Sequence, residues 1–265
     1  MSFRCEGGVT ILDHRRFAHP LQALEPFRAA DGSLCLMMLN ISGGMAGGDR
    51  LRTSIDLGRG SHAVLITASA AKAYRTEGEP AAQETRVRLD EGTTLEYLPD
   101  HLIPHAGAAL DQTLRVEMAK GSRAIIYDAI AAGRIGRGER WQFRELTSEV
   151  AITGGSRPIY LNRTRITPRL QPLDQIGWME SYNYLATIVI AADGDRDWSG
   201  LVAALDAALQ GITGVCGSAS ATARGGCVAR LITTTADALN QTALMLWGIA
   251  RKDLLGLSAF PLRKF

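Results

Sequence analysis

The sequence predicts a mainly β protein of stacked, β-helix-like sheet repeats, with two α-helices near the C-terminus. Three observations carry that reading. A strand–turn–strand segment recurs three times, apolar and polar residues alternate along much of the chain, and helical periodicity is confined to two late segments.

The recurring segments are Ser54–Thr67 (SIDLGRGSHAVLIT), Arg86–Pro99 (RVRLDEGTTLEYLP) and Arg115–Asp128 (RVEMAKGSRAIIYD). In each, a glycine (Gly60, Gly92, Gly121) precedes Ser61, Thr93 or Ser122 and supplies a turn conformation that a Cβ hinders. Upstream, the apolar pairs Ile55/Leu57, Val87/Leu89 and Val116/Met118 alternate with polar residues, as in a strand with one buried face. The turn glycines recur about every 30 residues, so each unit holds two or more strands, and such units bury their faces by stacking. An ordinary β-sandwich is the alternative arrangement.

Further strands are predicted at Leu34–Leu39, Trp141–Ile152, Pro158–Ile166, Tyr184–Ala191 and Cys227–Thr233. From Trp198 to Ile212, Trp198, Leu201, Val202, Leu205, Ala208, Leu209 and Ile212 form one apolar stripe at helical spacing. Asp195 or Asp197 caps its start and Gly214 lies just past its end. A second helix over Ala236–Leu255 places Leu239, Ala243, Leu246, Ile249 and Ala250 on one face, with Thr235 as its N-cap. Between the helices, Gly214–Gly226 is rich in Gly, Ser, Ala and Thr and reads as a loop. No segment has linker composition, so residues 1–265 read as one domain.

Composition narrows the function. The chain is 46% hydrophobic and 21% charged, with a formal net charge of +2 and no basic stripe, which argues against a nucleic-acid partner. No apolar run approaches the roughly 18–20 residues that cross a bilayer. The N-terminal MSFRCEGGVTILDHRR lacks a secretory apolar core, so the expected location is the cytoplasm, without membrane attachment. Cys5, Cys35, Cys216 and Cys227 form no C-x-x-C pair and are expected as free thiols.

The stretch SGGMAGGDRL (Ser42–Leu51) invites a phosphate-loop reading, because Gly43 and Gly48 have the Walker spacing. Asp49 stands where the lysine belongs, and a carboxylate there repels phosphate. The structural reading is stronger. Gly43, Gly44, Gly47 and Gly48 allow close backbone approach, while Asp49 accepts backbone N–H bonds across a turn. Neither a G-x-S-x-G elbow nor an H-E-x-x-H pair is present. In DHLIPHAG, His101 and His105 could share a strand face and meet one ligand with Asp100 nearby; two solvated or hydrogen-bonded loop histidines are the simpler reading. Glu96 occupies the repeat position held by Val64 and Ile125 in the other units, and Asp128 ends the run AIIYD. Carboxylates in such settings are hydrogen-bonded structural groups or line a polar cavity.

SGGMAGGDRL, TASAAKAYR (Thr67–Arg75), Gln83, LEYLPD (Leu95–Asp100), IIYDAIAAGRIGRGE (Ile125–Glu139) and the C-terminal WGIARKDLLGLSAFPLRKF, in that order, resemble the urease accessory protein family UreD, also called UreH. The resemblance covers nearly the whole chain. It implies a non-enzymatic, largely β protein that binds UreF and through it the GTPase UreG, and docks on apo-urease in an obligate hetero-complex. It also implies no permanently bound cofactor, with nickel in transit through an internal tunnel. Asp49, Asp128 and Arg134 match polar positions associated with that tunnel, where carboxylates hold Ni(II) weakly enough to release it. Glu96 joins them as a candidate, with His101 and His105 as weaker ones. Lys72, Tyr74 and Arg75 lie in a family segment that shapes an interface or a strand turn. The chain departs from the family pattern at Ser42, where proline is common, and at DHLIPHAGA, where Q-x-x-I-x-F-x-G-A is usual. Two other readings stand beside nickel delivery: a stand-alone metal-dependent enzyme using His101 and His105, and a structural adaptor that does not handle the metal. The Asp128–Arg134 set, likewise, either lines a passage or ties adjacent strands together.

Overall fold

A computed structural model describes residues 1–262 and has the expected mainly β, solenoid-like architecture with two helices near the C-terminus. The last three residues of the C-terminal family segment, 263–265, lie outside the described residues. The strands, in chain order, begin with β1 (Ser2–Glu6), β2 (Val9–His14), β3 (Leu21–Ala23), β4 (Phe27–Arg28), β5 (Leu34–Asn40) and β6 (Arg50–Leu57). Next come β7 (His62–Thr67), β8 (Ala71–Ala73), β9 (Ala81–Leu89), β10 (Thr94–Leu98), β11 (Leu102–Pro104) and β12 (Ala109–Met118). Then follow β13 (Arg123–Ala131), β14 (Glu145–Gly154), β15 (Arg157–Ile166), β16 (Tyr184–Ala192), helix α1 (Ser199–Leu209), β17 (Val215–Ala221), β18 (Gly226–Thr233) and helix α2 (Ala236–Leu255).

The three repeats are three coils. In each, one strand joins a seven-stranded sheet and the next joins an eleven-stranded sheet facing it. In the first sheet β6, β9, β12 and β14 run parallel; in the second, β7, β10 and β13 do. Register is kept from coil to coil: Leu57 lies beside Leu89, and Leu89 beside Met118. The turn chemistry follows the repeat. Gly60, Gly92 and Gly121 have φ of 71°, 65° and 70°. The buried hydroxyls that follow donate three residues back, Ser61 Oγ to Gly58 O at 2.6 Å, Thr93 Oγ1 to Asp90 O at 2.8 Å and Ser122 Oγ to Ala119 O at 2.6 Å. The stack ends in antiparallel pairs: β15 folds back on β14, and β16 and β18 continue the second sheet beyond β13.

Three layers result. Between the sheets lie two apolar clusters, one around Phe3, Ile55, Leu65, Val116 and Ile152, the other around Met45, Leu51, Leu110, Phe143 and Leu146. The second sheet's outer face packs on α1 and α2 through Ile125, Ile188, Leu205, Leu246 and Trp247. Helix α2 begins as expected, with Thr235 Oγ1 accepting from Ala238 N at 3.2 Å. Helix α1 is shorter than the expected Trp198–Ile212 and is capped by neither aspartate: Trp198 is its N-cap without a side-chain bond, and Asp197 before it accepts from Ser199 N and Oγ at 2.9 and 2.7 Å.

Two strands also differ from the sequence reading. Much of the expected loop Gly214–Gly226 is strand β17. Its small residues fit beside β18, where a Cβ on Gly217 would stand 2.6 Å from Arg230 O, and Ala219 N donates to Asp206 of α1 at 3.1 Å. Small polar residues here reflect close packing rather than a missing strand. The strand expected from Trp141 begins at Glu145 instead, because Trp141 has φ of 55° and donates its N–H back to Ala132 O.

One buried carboxylate fastens the helices to the sheet. Glu96, fully buried on β10, accepts from His62 Nε2 at 2.7 Å, Trp247 Nε1 at 2.5 Å and Arg251 Nε at 2.8 Å. Arg251 also reaches Asp31 at 2.5 Å and donates to Ser258 O. The register neighbours of Glu96 are Val64 and Ile125, as the repeat alignment places them. Burial alone would raise the carboxyl's pKa; the bonds from His62 and Arg251 and the Arg251 charge outweigh it and hold it below the ordinary range. Such a depressed group stabilises the fold above the ordinary carboxyl pKa, and the contribution is lost as pH falls through the depressed value. Replacing Glu96 by Ala leaves the buried Arg251 with Asp31 as its one carboxylate partner and unpairs its Nε, and should cost about 3 kcal/mol. Melting from pH 6 down to pH 3 should show a steeper acid loss in the wild type than in Glu96→Gln; parallel curves would show that the clamp is not charged.

Candidate functional site: a polar layer between two apolar cores

The inward faces of the strands are apolar at both ends and polar in the middle. On the first sheet, Thr53 lies between Leu51 and Ile55, Gln83 and Thr85 between Ala81 and Val87, and Gln112 between Leu110 and Leu114. Ser148 lies between Leu146 and Val150 in the same way. On the second sheet, Asp128 falls between Ile126 and Ile130, Thr187 between Leu185 and Val189, and Arg230 between Val228 and Ile232. Strand register aligns them. Gln83 pairs with Gln112, Gln112 with Ser148 and Ser148 with Thr164; Asp128 pairs with Thr187 and Thr187 with Arg230.

Part of this layer is hollow. A cavity of about 690 Å³ is lined by Met1, Arg16 and Asn40, by Gln83, Thr85 and Tyr97, and by Gln112 and Asp128 on β12 and β13, the last strands of the two sheets that it touches. Gln112 Nε2 donates to Asp128 Oδ1 at 3.1 Å across the gap between the sheets. Burial pushes the Asp128 carboxyl above its ordinary pKa, and the single bond from Gln112 only partly offsets that. This carboxylate is half-buried on the cavity wall and has no cation bonded to it like the one that holds Glu96.

The other expected residues fall elsewhere. Asp49 closes its own turn, accepting from Ala46 N at 2.8 Å, and does not line the cavity. Its glycines meet the segment carrying Lys72, Tyr74 and Arg75. Met45 N donates to Lys72 O and Tyr74 N to Met45 O. A Cβ on Gly44 would lie 2.7 Å from the Tyr74 ring, and one on Gly47 2.0 Å from Thr76 Oγ1; Gly43 and Gly48 have φ of 79° and 82°. Gly44 and Gly47 are thus places of close approach, whereas Gly48 has open space around it and its positive φ is what favours glycine. Lys72 lines the cavity, whereas Arg75 pairs with Glu77 at 2.9 Å.

Arg134 engages Glu139 rather than Asp128, through two hydrogen bonds, and Glu139 also accepts from Ala106 N. Glu96 faces the helices, on the opposite side of the sheet from the layer. His101 packs edge-on to Tyr184 and His105 to Tyr74. Burial and then the Arg134 charge lower the His105 pKa. Among the described residues no three His, Cys, Asp or Glu side chains stand close enough to hold a metal ion. All four cysteines are free. No described helix is long and apolar enough to cross a membrane.

Of the tunnel candidates Asp49, Glu96, Asp128 and Arg134, then, Asp128 alone lines the cavity, and Asp100 is a second carboxylate on its wall. The layer also contains Gln112, Thr85, Ser148, Thr187 and Arg230, none of which stood out in the sequence. One signal could have found them: a single polar interruption in the buried register of strand after strand.

Comparison with known proteins identifies the chain. Residues 1–264 match the family described as UreD urease accessory protein. The chain belongs to the UreD family. The UreD protein of Herpetosiphon aurantiacus is 35% identical over 254 residues, covering 94% of this chain and 88% of its own. That of Deinococcus radiodurans is 31% identical over 266 residues, covering 100% and 93%. Family membership gives the chain an accessory role in urease maturation.

Two outcomes follow from the geometry. Gly44→Ala must push the Tyr74 ring or the Lys72 carbonyl and should cost about 1–3 kcal/mol in denaturant unfolding. Asp128→Asn should raise the melting temperature, because a carboxyl of raised pKa opposes folding once ionised. That gain should grow as pH rises above the ordinary carboxyl range and vanish below it; a gain independent of pH would mean that Asp128 is not the cause.

Proposed function

We propose that this UreD protein is a non-catalytic scaffold that acts in the cytoplasm with UreF and the GTPase UreG. It docks on apo-urease and passes nickel toward the urease active site through its polar layer. The observation that carries the proposal is Asp128, a carboxylate at the inner end of a polar cavity, bonded by one neutral amide. Beside Asp128 the layer offers amide and hydroxyl oxygens, and the cavity wall adds the Asp100 carboxylate and one imidazole, His19. Oxygen donors of this kind bind a borderline divalent cation weakly and exchange it, as cargo requires. Nickel is thus cargo and not a resident cofactor.

The adaptor reading keeps support from two residues. Asp49 is spent on its own turn and Arg134 on Glu139, so both serve local structure. The experiment that separates the readings captures urease from a host whose own copy of this gene is replaced by Asp128→Ala. A passage predicts urease that is captured with this protein in normal amount but is several-fold poorer in nickel and in activity. Fully loaded urease from that strain would leave the chain as an adaptor. Asp49→Ala should load urease normally wherever its turn still folds.

A further inference from the structure

We infer that the polar layer is a through-passage closed at its middle by one hydrogen bond, Gln112 to Asp128, which the cation itself opens. This rests on the nickel-transit reading above and names the latch and the far half of the route.

The latch lies where the cavity stops. Gln112 and Asp128 come from opposite sheets, and their bond spans the space between them at 3.1 Å. One strand further on, Ser148 stands beside Gln112 and Thr187 beside Asp128. Neither of them lines the cavity. Ser148 is only 4% exposed, and its hydroxyl finds no hydrogen-bond partner among the described residues. A buried hydroxyl left unmet in a close-packed sheet marks space for an unseen polar group. Thr187 is half-buried although Ala186 and Ile188 on either side are buried, so solvent reaches it from the side away from the cavity. Beyond these two come Thr164 and Asn162 on β15 and an exposed Arg230 on β18. Arg230 spans the sheets there by long bonds to Tyr160 Oη at 3.3 Å and Asn162 Oδ1 at 3.4 Å. The polar layer therefore continues past the cavity to a second rim, with the Gln112–Asp128 pair as its partition.

The chemistry of the pair makes the partition responsive. The Asp128 oxygen that accepts the Gln112 amide N–H is an oxygen a divalent cation would take. A cation arriving at Asp128 competes with that donor and releases the amide. Rotation of the freed amide about its terminal torsion presents Oε1 in place of Nε2, and a donor in the closed latch becomes a ligand in the open one. The next oxygens on the route are Ser148 Oγ and Thr187 Oγ1, uncharged and weaker than the carboxylate, so the ion is not trapped. No bond other than hydrogen bonds and metal–oxygen contacts changes.

The test uses the full chain in its native host, reading the nickel content of captured urease together with its co-capture. Thr187→Leu and Ser148→Leu block the route beyond the latch, and Thr85→Leu blocks the cavity before it. The expected result is normal co-capture with several-fold less nickel for all three, and faster loading than wild type for Gln112→Ala, which lacks the latch. Full loading with Thr187→Leu, while Thr85→Leu is nickel-poor, would leave the passage but end it at Asp128, overturning the inference. Loading by Gln112→Ala as poor as by the blockers would overturn the latch. Full loading with Thr85→Leu as well would fell the transit reading itself. Should Ser148→Leu overpack and fail to assemble, Thr187→Leu at its half-buried position decides the matter alone.

Discussion

In-register parallel stacking is the constraint on which the rest of this molecule depends. When coils repeat with fixed register, each inward side chain lies beside its counterpart in the next coil. An apolar position becomes a continuous ridge, and a polar one becomes a continuous stripe. One polar interruption per strand is then enough to build a layer running through the stack, flanked on both sides by apolar clusters that keep the sheets apart and the layer in place. The same constraint explains why a cavity persists there. Side chains of the second sheet that face the layer, such as Thr67 and Tyr97, cannot shift toward the gap without breaking register with their own neighbours. Antiparallel β15, β16 and β18 end the stack but keep the pattern, which is why the stripe continues onto Thr164, Thr187 and Arg230.

Much of the architecture was legible because local chemistry repeats. Glycine before Ser or Thr, with alternation upstream, is a physical requirement of each tight turn, and the observed hydroxyl-to-carbonyl bonds are that requirement met three times. Helix α2 was legible through its stripe and its Thr235 cap. What stayed hidden depends on distant partners. Strand β17 has loop composition because closeness to β18 and cover from α1 select small residues, which neither periodicity nor propensity records. The short strands β3, β4, β8 and β11 span too few residues to show a period. In the site, Asp128 could be picked out as a carboxylate ending an apolar run. Gln112, Ser148 and Thr187 could not, since a lone uncharged polar residue in an alternating strand reads as an ordinary outward position until register is known. Arg134 was read with Asp128, although Glu139, only five residues away, takes its guanidinium.

Glu96 and Asp128 show how one sheet treats two inward-set carboxylates, one buried and one half-buried on a cavity wall, in opposite ways. They sit on adjacent parallel strands, β10 and β13, and face opposite sides. Glu96 points to the helices, where Arg251, Trp247 and His62 satisfy its oxygens and hold its pKa down. So many partners fix a carboxylate in one state, and removing Arg251 would leave its buried charge without the counter-ion. That suits a group whose task is to fasten α2 to the sheet. Asp128 points between the sheets, where one amide and a cavity meet it, and its pKa is pushed up. A carboxylate so poorly satisfied opposes folding when ionised, so structural duty alone does not account for it; Asn would make the same bond to Gln112 at less cost. What Asn would lack is the negative charge that attracts a cation to this point of the cavity wall. The physical difference between the two groups lies in their unmet capacity. Glu96 has almost none left for a ligand, whereas Asp128 keeps its capacity open toward the cavity between the sheets.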